Sequence, residues 1–227
     1  MAEMKFKFTI QPYQTEAVES VVGVFAGQPF NDHFTYRRDI EIKRDVTNWM
    51  LSDEELYMGF ANAKVQLDYG QLLNNIHRIQ ARNNIKLSDS LKSGGLGVCS
   101  LDVEMETGTG KTYVYIKTMF ELNKLYGWSK FIVVVPSIAI REGVNKTFQI
   151  TTDHFMEQYG KKARFFIYNS SNLNELDNFS SSSGINVMII NTQAFASSLK
   201  EDGKSKEARI IYTKRDEFGS RRPIDVI

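Results

Sequence analysis

The sequence has 227 residues, with 28 lysines and arginines against 27 aspartates and glutamates, for a formal net charge of +1. Hydrophobic residues make up 42% and charged residues 24%, the balance of a globular chain long enough to bury a core; a disordered tail, a collagen-like repeat and a coiled coil are each excluded as the whole answer. A single cysteine, Cys99, excludes a disulfide framework and a cysteine-rich zinc site, and His33, His77 and His154 are too scattered for a metal cluster. No stretch approaches the roughly 18 apolar residues of a membrane span. The start, MAEMKFKFTI, lacks an apolar signal core, so the expectation is a cytoplasmic chain with no membrane partner. Near-zero net charge neither favours nor excludes a local basic groove for nucleic acid.

Taken in chain order, Met4 to Ile10 alternates like a short strand, and Pro12 then suits the first turn of a helix carrying the stripe Ala17, Val18, Val21, Val22 and Phe25. Residues 30–97 read as an insertion of mixed structure. Within it Arg37 to Lys43 alternates like a strand, Leu67 to Ile79 spaces like a helix ending near Asn83 and Asn84, and Ser93-Gly94-Gly95 is a turn. From Val98 the rhythm is regular: a strand over Val98 to Met105, a glycine loop from Glu106 to Gly110, and a helix from Lys111 to Tyr126 closed by Gly127. Phe131 to Val135 reads as a strand buried on both faces. Ile138 to Tyr159 reads as a helix with a β-branched patch at Ile150-Thr151-Thr152, followed by strands over Arg164 to Tyr168 and Ile185 to Asn191. Ser180 to Gly184 (SSSSG) reads as a flexible surface loop. Arg209 to Tyr212 is strand-like, and Lys214, Arg215, Arg221 and Arg222 make a basic run read as a surface strand or loop. Alternation of strand and helix means an α/β fold with a mainly parallel sheet.

The strongest chemical signal is Met105-Glu106-Thr107-Gly108-Thr109-Gly110-Lys111-Thr112, placed after a predicted strand and opening a predicted helix. Gly108 and Gly110 let successive N–H groups curl around one point, and the start of the Lys111 helix adds partial positive charge there. Lys111 reaches β and γ phosphates, and the Thr112 hydroxyl can ligate Mg²⁺. The first glycine of the general pattern is replaced by Met105. ATP or GTP binding follows; fold alone does not choose among kinases, transporters, GTPases and helicases.

Three further segments narrow the choice. Phe8-Thr9-Ile10-Gln11-Pro12-Tyr13-Gln14 resembles a helicase Q motif, in which the amide of Gln14 would read the donor–acceptor edge of adenine, with Tyr13 or Phe8 packed nearby. Val134-Val135-Pro136-Ser137-Ile138-Ala139-Ile140-Arg141 resembles motif Ia, and Ile190-Asn191-Thr192-Gln193-Ala194-Phe195 resembles motif Ib. Together these segments resemble the DEAD/DEAH-type superfamily 2 helicases, and most of all the Res (restriction) subunit of type III restriction-modification enzymes. The resemblance covers residues 5–26 and 98–198, and the 97-residue spacing from Gln14 to Lys111 fits an insertion over 30–97.

The resemblance implies a RecA-like, three-layer P-loop NTPase domain spanning residues 1–227. It implies ATP and Mg²⁺ held by Gln14, Thr107, Gly108, Thr109, Gly110, Lys111 and Thr112. It implies nucleic-acid contacts from Ser137, Arg141, Asn191, Thr192 and Gln193, directed at phosphates rather than bases. Both segments have a structural alternative: a strand-to-helix turn with Ser137 as N-cap for the first, and a helix cap for Asn191, Thr192 and Gln193.

Hydrolysis in this family needs an Asp-Glu pair at the end of a later buried strand. Asp53-Glu54 and Asp216-Glu217 do not sit after one, so the domain is expected to be incomplete at its C-terminus, an N-terminal fragment that binds ATP without efficient turnover. The implied full protein moves on and cleaves duplex DNA beside a modification (methyltransferase) subunit. A helicase-like ATPase of DNA repair or remodelling, a non-motor nucleotide-binding module, and a metabolite or nucleotide kinase are the competing readings.

Overall fold

A strand needs a laddered neighbour, and the computed structural model shows which of the predicted segments have one. It describes residues 8–31, 34–39, 58–93, 97–169, 174–196 and 212–227. They fall into two units: Met1–Asn31 with Lys64–Gly127, and Asp32–Ala63 with Trp128–Ile227. The predicted insertion is thus divided between them, and the predicted strands over Met4 to Ile10 and Arg209 to Tyr212, the Gly94-Gly95 turn and Asp53-Glu54 lie wholly or mostly outside the described residues.

The first unit is helical. Helix α1 (Pro12–Gly23) starts with its proline, which has no N–H to leave unsatisfied. It buries Val18 and Val22. Helix α2 (Tyr69–Arg82) opens on a capping box in which the Asp68 carboxylate accepts from Gln71 N at 2.8 Å while the Gln71 amide oxygen accepts from Asp68 N at 2.9 Å. It closes at Asn83 and at Asn84, whose φ is +54°. Asn75, buried on α2, donates to the carbonyls of Val24 and Ala26, both at 2.9 Å, satisfying acceptors just beyond the end of α1. Helix α3 (Lys111–Tyr126) is buried along most of its length around Ile116 and Phe120. Its Tyr126 hydroxyl donates to Val22 O at 3.1 Å. Gly127 ends it at φ +79°, the left-handed C-cap that glycine adopts freely.

The predicted strand over Val98 to Met105 is not formed. Residues 97–106 carry no ladder among the described residues, and Val98 and Val103 stay 49% and 48% exposed. An alternating apolar pattern states what a segment can pair with, but the pairing also requires a neighbour.

The second unit holds a parallel sheet in the order β3-β5-β4, formed by β3 (Lys130–Val135), β4 (Arg164–Ile167) and β5 (Asn186–Asn191). Lys130 and Arg164 both register with Asn186. The central β5 buries Val187, Met188 and Ile189 completely; each such side chain is worth about 1.5–3 kcal/mol of transfer free energy. β3 departs from the expectation of burial on both faces: among the described residues it pairs with β5 alone, and Val134 is 41% exposed.

Helix α4 (Ile138–Tyr159) keeps its β-branched patch because Thr151 and Thr152 turn their hydroxyls back onto Thr147 O and Phe148 O, at 2.7 and 2.8 Å. A short helix, α5 (Asn174–Ser181), was not anticipated. It takes up the start of the serine run, so the expected flexible surface loop is corrected there. Ser180 is fully buried, with its hydroxyl 2.7 Å from the Tyr36 hydroxyl and donating to Glu217 O at 2.6 Å. Helix α6 (Thr192–Ala196) follows β5.

An antiparallel hairpin, β1 (Phe34–Arg37) and β2 (Met58–Ala61), pairs Tyr36 with Gly59. The Tyr36 ring lies so close to Gly59 that any Cβ there would collide with it. The C-terminal segment packs against this hairpin through short 3-10 helices at Asp216–Phe218 and Pro223–Val226, burying Phe218 and Val226 in one cluster with Tyr36, Leu176, Phe179 and Ile190. Arg38, nearly buried, pairs with Asp177 and donates to Glu217 O at 3.1 Å. The predicted surface basic run therefore contributes structural pairs: Arg215 to Glu217 at 2.9 Å, Arg222 to Asp225 at 2.6 Å, and Arg221 over the Tyr36 ring at 4.9 Å.

Candidate functional site

In the first unit the glycine loop is built from three kinds of local contact. Gly108 and Gly110 hold φ +82° and +86°, a region in which any other L-residue is strained. The Thr109 hydroxyl donates to Glu106 O at 2.6 Å, closing the turn. The Lys111 ammonium donates to the carbonyls of Met105 and Glu106, both at 2.8 Å, so the cation lies across the loop. Gly110 is the N-cap of α3, and the first free N–H groups of that helix open on the loop.

Gln14 is brought to this loop across 95 residues of sequence. Its amide donates to Thr109 O at 2.9 Å, and the Tyr13 hydroxyl donates to the same carbonyl at 3.3 Å. A Cβ added to Gly110 would stand 2.6 Å from Gln14 Nε2. Of the two aromatic candidates, Tyr13 therefore touches the loop, while Phe8 stacks on Tyr113, with ring centroids 6.1 Å apart and planes 19° from parallel. Thr112 is half-buried in the first turn of α3. Beside it Tyr115 has its phenol pushed up by burial, an effect the Thr112 hydroxyl partly opposes.

The residues present fit a nucleotide polyphosphate. A Cβ built on Gly108 meets nothing within 4 Å, so open space faces the loop where a phosphate group belongs. The loop and the first turn of α3 carry backbone N–H groups, the Lys111 ammonium and the Thr112 hydroxyl, the donor set that phosphates and a hydrated Mg²⁺ take. Next to the loop, α1, α2 and residues 100–109 line a cavity of about 610 Å³ whose walls include Val21, Val24, Ile76, Ile79, Leu101 and Val103. Among the described residues no cluster of His, Cys, Asp and Glu could hold a metal by itself, and no helix is long and apolar enough to cross a membrane.

In the second unit the other expected contacts lie where β3 and β5 end side by side. Val135 pairs with Asn191, and the Thr192 hydroxyl donates to Val135 O at 2.9 Å, tying the two strand ends together. Ser137 caps α4, its hydroxyl accepting from Ile140 N at 3.3 Å. Arg141 stands one turn on; its guanidinium reaches Glu142 at 3.1 Å, while its Nε is buried without a hydrogen-bond partner among the described residues. Gln193 is exposed in the first turn of α6. Ser137, Arg141, Asn191, Thr192 and Gln193 thus all lie at or shortly after the C-terminal ends of β3 and β5.

Two residues of this unit escaped the sequence reading. Lys130 is fully buried; its ammonium donates to Phe179 O at 2.6 Å and to Ser182 O, and lies 5.2 Å from the Phe179 ring centroid. Burial, with Arg164 adding repulsion, pushes its pKa from 10.5 down to about 7. The Asn62 amide holds the backbone of Lys130 on both sides, accepting from its N–H at 2.9 Å and donating to its carbonyl at 2.7 Å. Neither residue sits in a motif or a periodic pattern, so no sequence signal pointed to them.

Residues 73–218 match the family profile described as "Type III restriction enzyme, res subunit", which is more than half of the chain. Curated relatives agree. The chain is 32% identical over 168 residues to the type III restriction-modification enzyme EcoP15I Res subunit of Escherichia coli, covering 72% of this chain and 15% of that protein. It is 35% identical over 111 residues to the EcoPI Res subunit of Escherichia phage P1, covering 48% of this chain and 11% of that one. It is 42% identical over 86 residues to the StyLTI Res subunit of Salmonella typhimurium, covering 38% and 8%. The chain thus spans less than a fifth of the length of each of these relatives. With an α/β P-loop fold and a glycine loop inside the matched region, the chain belongs to the family of type III restriction enzyme Res subunits, and carries part of its helicase-like domain.

Proposed function

We propose that this chain is the ATP-binding part of the first motor domain of a type III restriction endonuclease. In the full protein, hydrolysis of ATP drives movement on duplex DNA and is coupled to its cleavage, in concert with a modification (methyltransferase) subunit that reads the sequence. The observation that carries this reading is the convergence of Gln14, Gly108, Gly110 and Lys111 on one loop, with the Gln14 amide bonded to Thr109 O. That convergence supports the reading of the loop as a polyphosphate cradle with an amide suited to an adenine edge beside it.

Bound Mg-ATP would supply the phosphoanhydride bond that is cleaved. Lys111 would exchange its two carbonyl partners for phosphate oxygens, Thr112 would face the metal, and Gly108 would keep the backbone clear of the phosphates. Asn191, Thr192, Gln193, Ser137 and Arg141 would bind DNA through its phosphates without reading bases. The chain alone would bind ATP and turn it over poorly, since among its described residues no Asp-Glu pair follows a buried strand.

The test is a titration of fluorescent ATP with Mg²⁺ against the wild-type chain and Lys111→Ala. A charged hydrogen bond contributes about 1.5–3 kcal/mol, so the variant should bind about 10- to 150-fold more weakly. Equal affinity of both proteins, each folded by circular dichroism, refutes the reading. A repair or remodelling helicase is separated by whether nuclease activity accompanies the full protein. A non-motor module is separated by nucleotide affinity that ignores DNA.

A further inference from the structure

Threonines deep in a helix can turn their hydroxyls onto the carbonyl four residues back. Thr118 donates in this way to Val114 O at 2.8 Å, Thr147 to Gly143 O at 2.8 Å, Thr151 to Thr147 O at 2.7 Å and Thr152 to Phe148 O at 2.8 Å. Thr112 makes no such bond among the described residues. It is the second residue of α3 after the Gly110 N-cap, and the residue four back is Gly108, whose φ of +82° belongs to the loop. The backbone therefore does not set the Thr112 hydroxyl. A hydroxyl that ligates a metal must hold a lone pair toward the ion, and such ligands are ordinarily oriented by a second group behind them.

Tyr115 stands one turn further along α3. Residues three apart on a helix are neighbours, and helical side chains lean toward the N-terminus, so a side chain at 115 lies over the surface at 112. The Tyr115 phenol oxygen is buried and has no hydrogen-bond partner among the described residues. A buried hydroxyl left unpaired is costly, and each such exception asks for a reason. Burial raises the phenol's pKa, and the Thr112 hydroxyl opposes that rise, the influence of a nearby group able to donate to the phenol oxygen. Two hydroxyls without a settled partner thus lie a turn apart at the start of the helix that opens on the glycine loop.

We propose that Tyr115 is a positioning residue for Thr112: its phenol oxygen accepts the Thr112 hydroxyl proton in the nucleotide-bound state and so holds the Thr112 oxygen toward Mg²⁺. This rests on the reading of residues 105–112 as a nucleotide site with Thr112 at the metal. The Thr112 O–H becomes a stronger donor when its oxygen shares a lone pair with a cation, so the pairing strengthens in the state that needs it. It also gives the buried phenol oxygen the partner it lacks in the free chain.

The test titrates fluorescent ATP against the wild-type chain, Tyr115→Phe, Thr112→Val and the double variant, each in Mg²⁺ and again in EDTA. The quantity read is the factor by which Mg²⁺ raises affinity. Y115F should lower that factor about two- to tenfold, the worth of one hydrogen bond, and should bind ATP in EDTA as the wild type does. The double variant should have the same factor as T112V, because the phenol acts only through the Thr112 hydroxyl. The unfolding midpoint of Y115F should equal or exceed that of the wild type, since its phenol has no bond to lose. A full Mg²⁺ factor in Y115F overturns the proposal, as do additive losses in the double variant. Equal losses in Mg²⁺ and EDTA, or a Y115F chain that fails to fold, also overturn it, by showing that the phenol holds the helix rather than the hydroxyl. A factor that survives T112V removes Thr112 from the metal and the proposal with it, while the nucleotide reading stands. A wild-type chain that binds no ATP in either condition overturns that reading too.

Discussion

Gly110→Ala perturbs the phosphate loop at the point where it meets Gln14. Gly110 holds φ +86°, and a non-glycine residue in that region costs about 1–2 kcal/mol. The new Cβ would also lie 2.6 Å from Gln14 Nε2, forcing the amide off Thr109 O and losing a hydrogen bond worth about 0.5–1.5 kcal/mol. The single substitution should therefore cost about 2–3 kcal/mol, and Gln14→Ala alone about 1 kcal/mol. The second part of the Gly110 cost exists only while Gln14 is present. The double variant should therefore cost less than the sum of the singles by about 1 kcal/mol, a coupling well above the roughly 0.3–0.5 kcal/mol scatter of independent sites. Urea unfolding of the four proteins of the cycle measures it, with fluorescent ATP titration alongside. Additive costs would refute the contact between Gln14 and the loop, and with it the placement of an amide beside the nucleotide.

Lys130 makes stability depend on pH with a definite sign. Its folded pKa of about 7 lies below the ordinary 10.5, so between those values the unfolded chain holds the extra proton. Stability gains from this group as pH rises through that window and is indifferent to it below about pH 7. Lys130→Met should remove that rise, and unfolding free energies from pH 6.5 to 9.5 that keep the same slope in the variant would contradict the burial argument. Gly219→Ala places a Cβ against the Arg37 carbonyl at a residue with φ +59°, and should cost about 2–4 kcal/mol in urea unfolding; a change under about 0.5 kcal/mol would deny the packing of the C-terminal segment on the hairpin. Ser137→Ala removes the N-cap of α4 and should cost about 1 kcal/mol, with Ser137→Asp keeping most of the stability. In the full protein, Arg141→Ala should weaken DNA binding alike for all sequences and reduce the salt dependence by about one phosphate contact; a sequence-selective loss would assign Arg141 a different role.

What the sequence made legible was local. The turn from Gly108 to Lys111 and the helix it opens are specified by neighbours, so their limits were readable, as were those of α4. The α4 patch at Thr151 and Thr152 looked unfavourable only until its hydroxyls found carbonyls one turn back. What stayed hidden depends on distant partners. Ser180 looks like a loop residue in a serine run, and it is buried because Tyr36, 144 residues away, meets its hydroxyl. Lys130 precedes the apolar run Phe131 to Val135 and drew no reading of its own, yet the end of α5 and Ser182 receive its ammonium. Val98 to Met105 has the pattern of a strand, but pairing is a property of two segments.

The glycine loop is held by contacts of its own. Residues 97–106 carry no ladder, yet the loop that follows them keeps its left-handed glycines, its Thr109 turn and its Gln14 contact. Each of those contacts closes within the loop or against α1. The Lys111 ammonium is part of this closure: it bonds two loop carbonyls, so a phosphate must compete with them. Removing the ammonium takes away the attraction for phosphate and also the brace between Met105 and the start of α3. Lys111→Ala should consequently lower stability as well as affinity. Lys111→Arg keeps the charge and can brace the loop, but presents a planar fork where a compact ammonium sat. If Lys111→Arg retains stability and loses ATP affinity, bracing and binding are separate tasks of one side chain. If it loses both in proportion, the loop's shape and its hold on phosphate depend on the same compact cation.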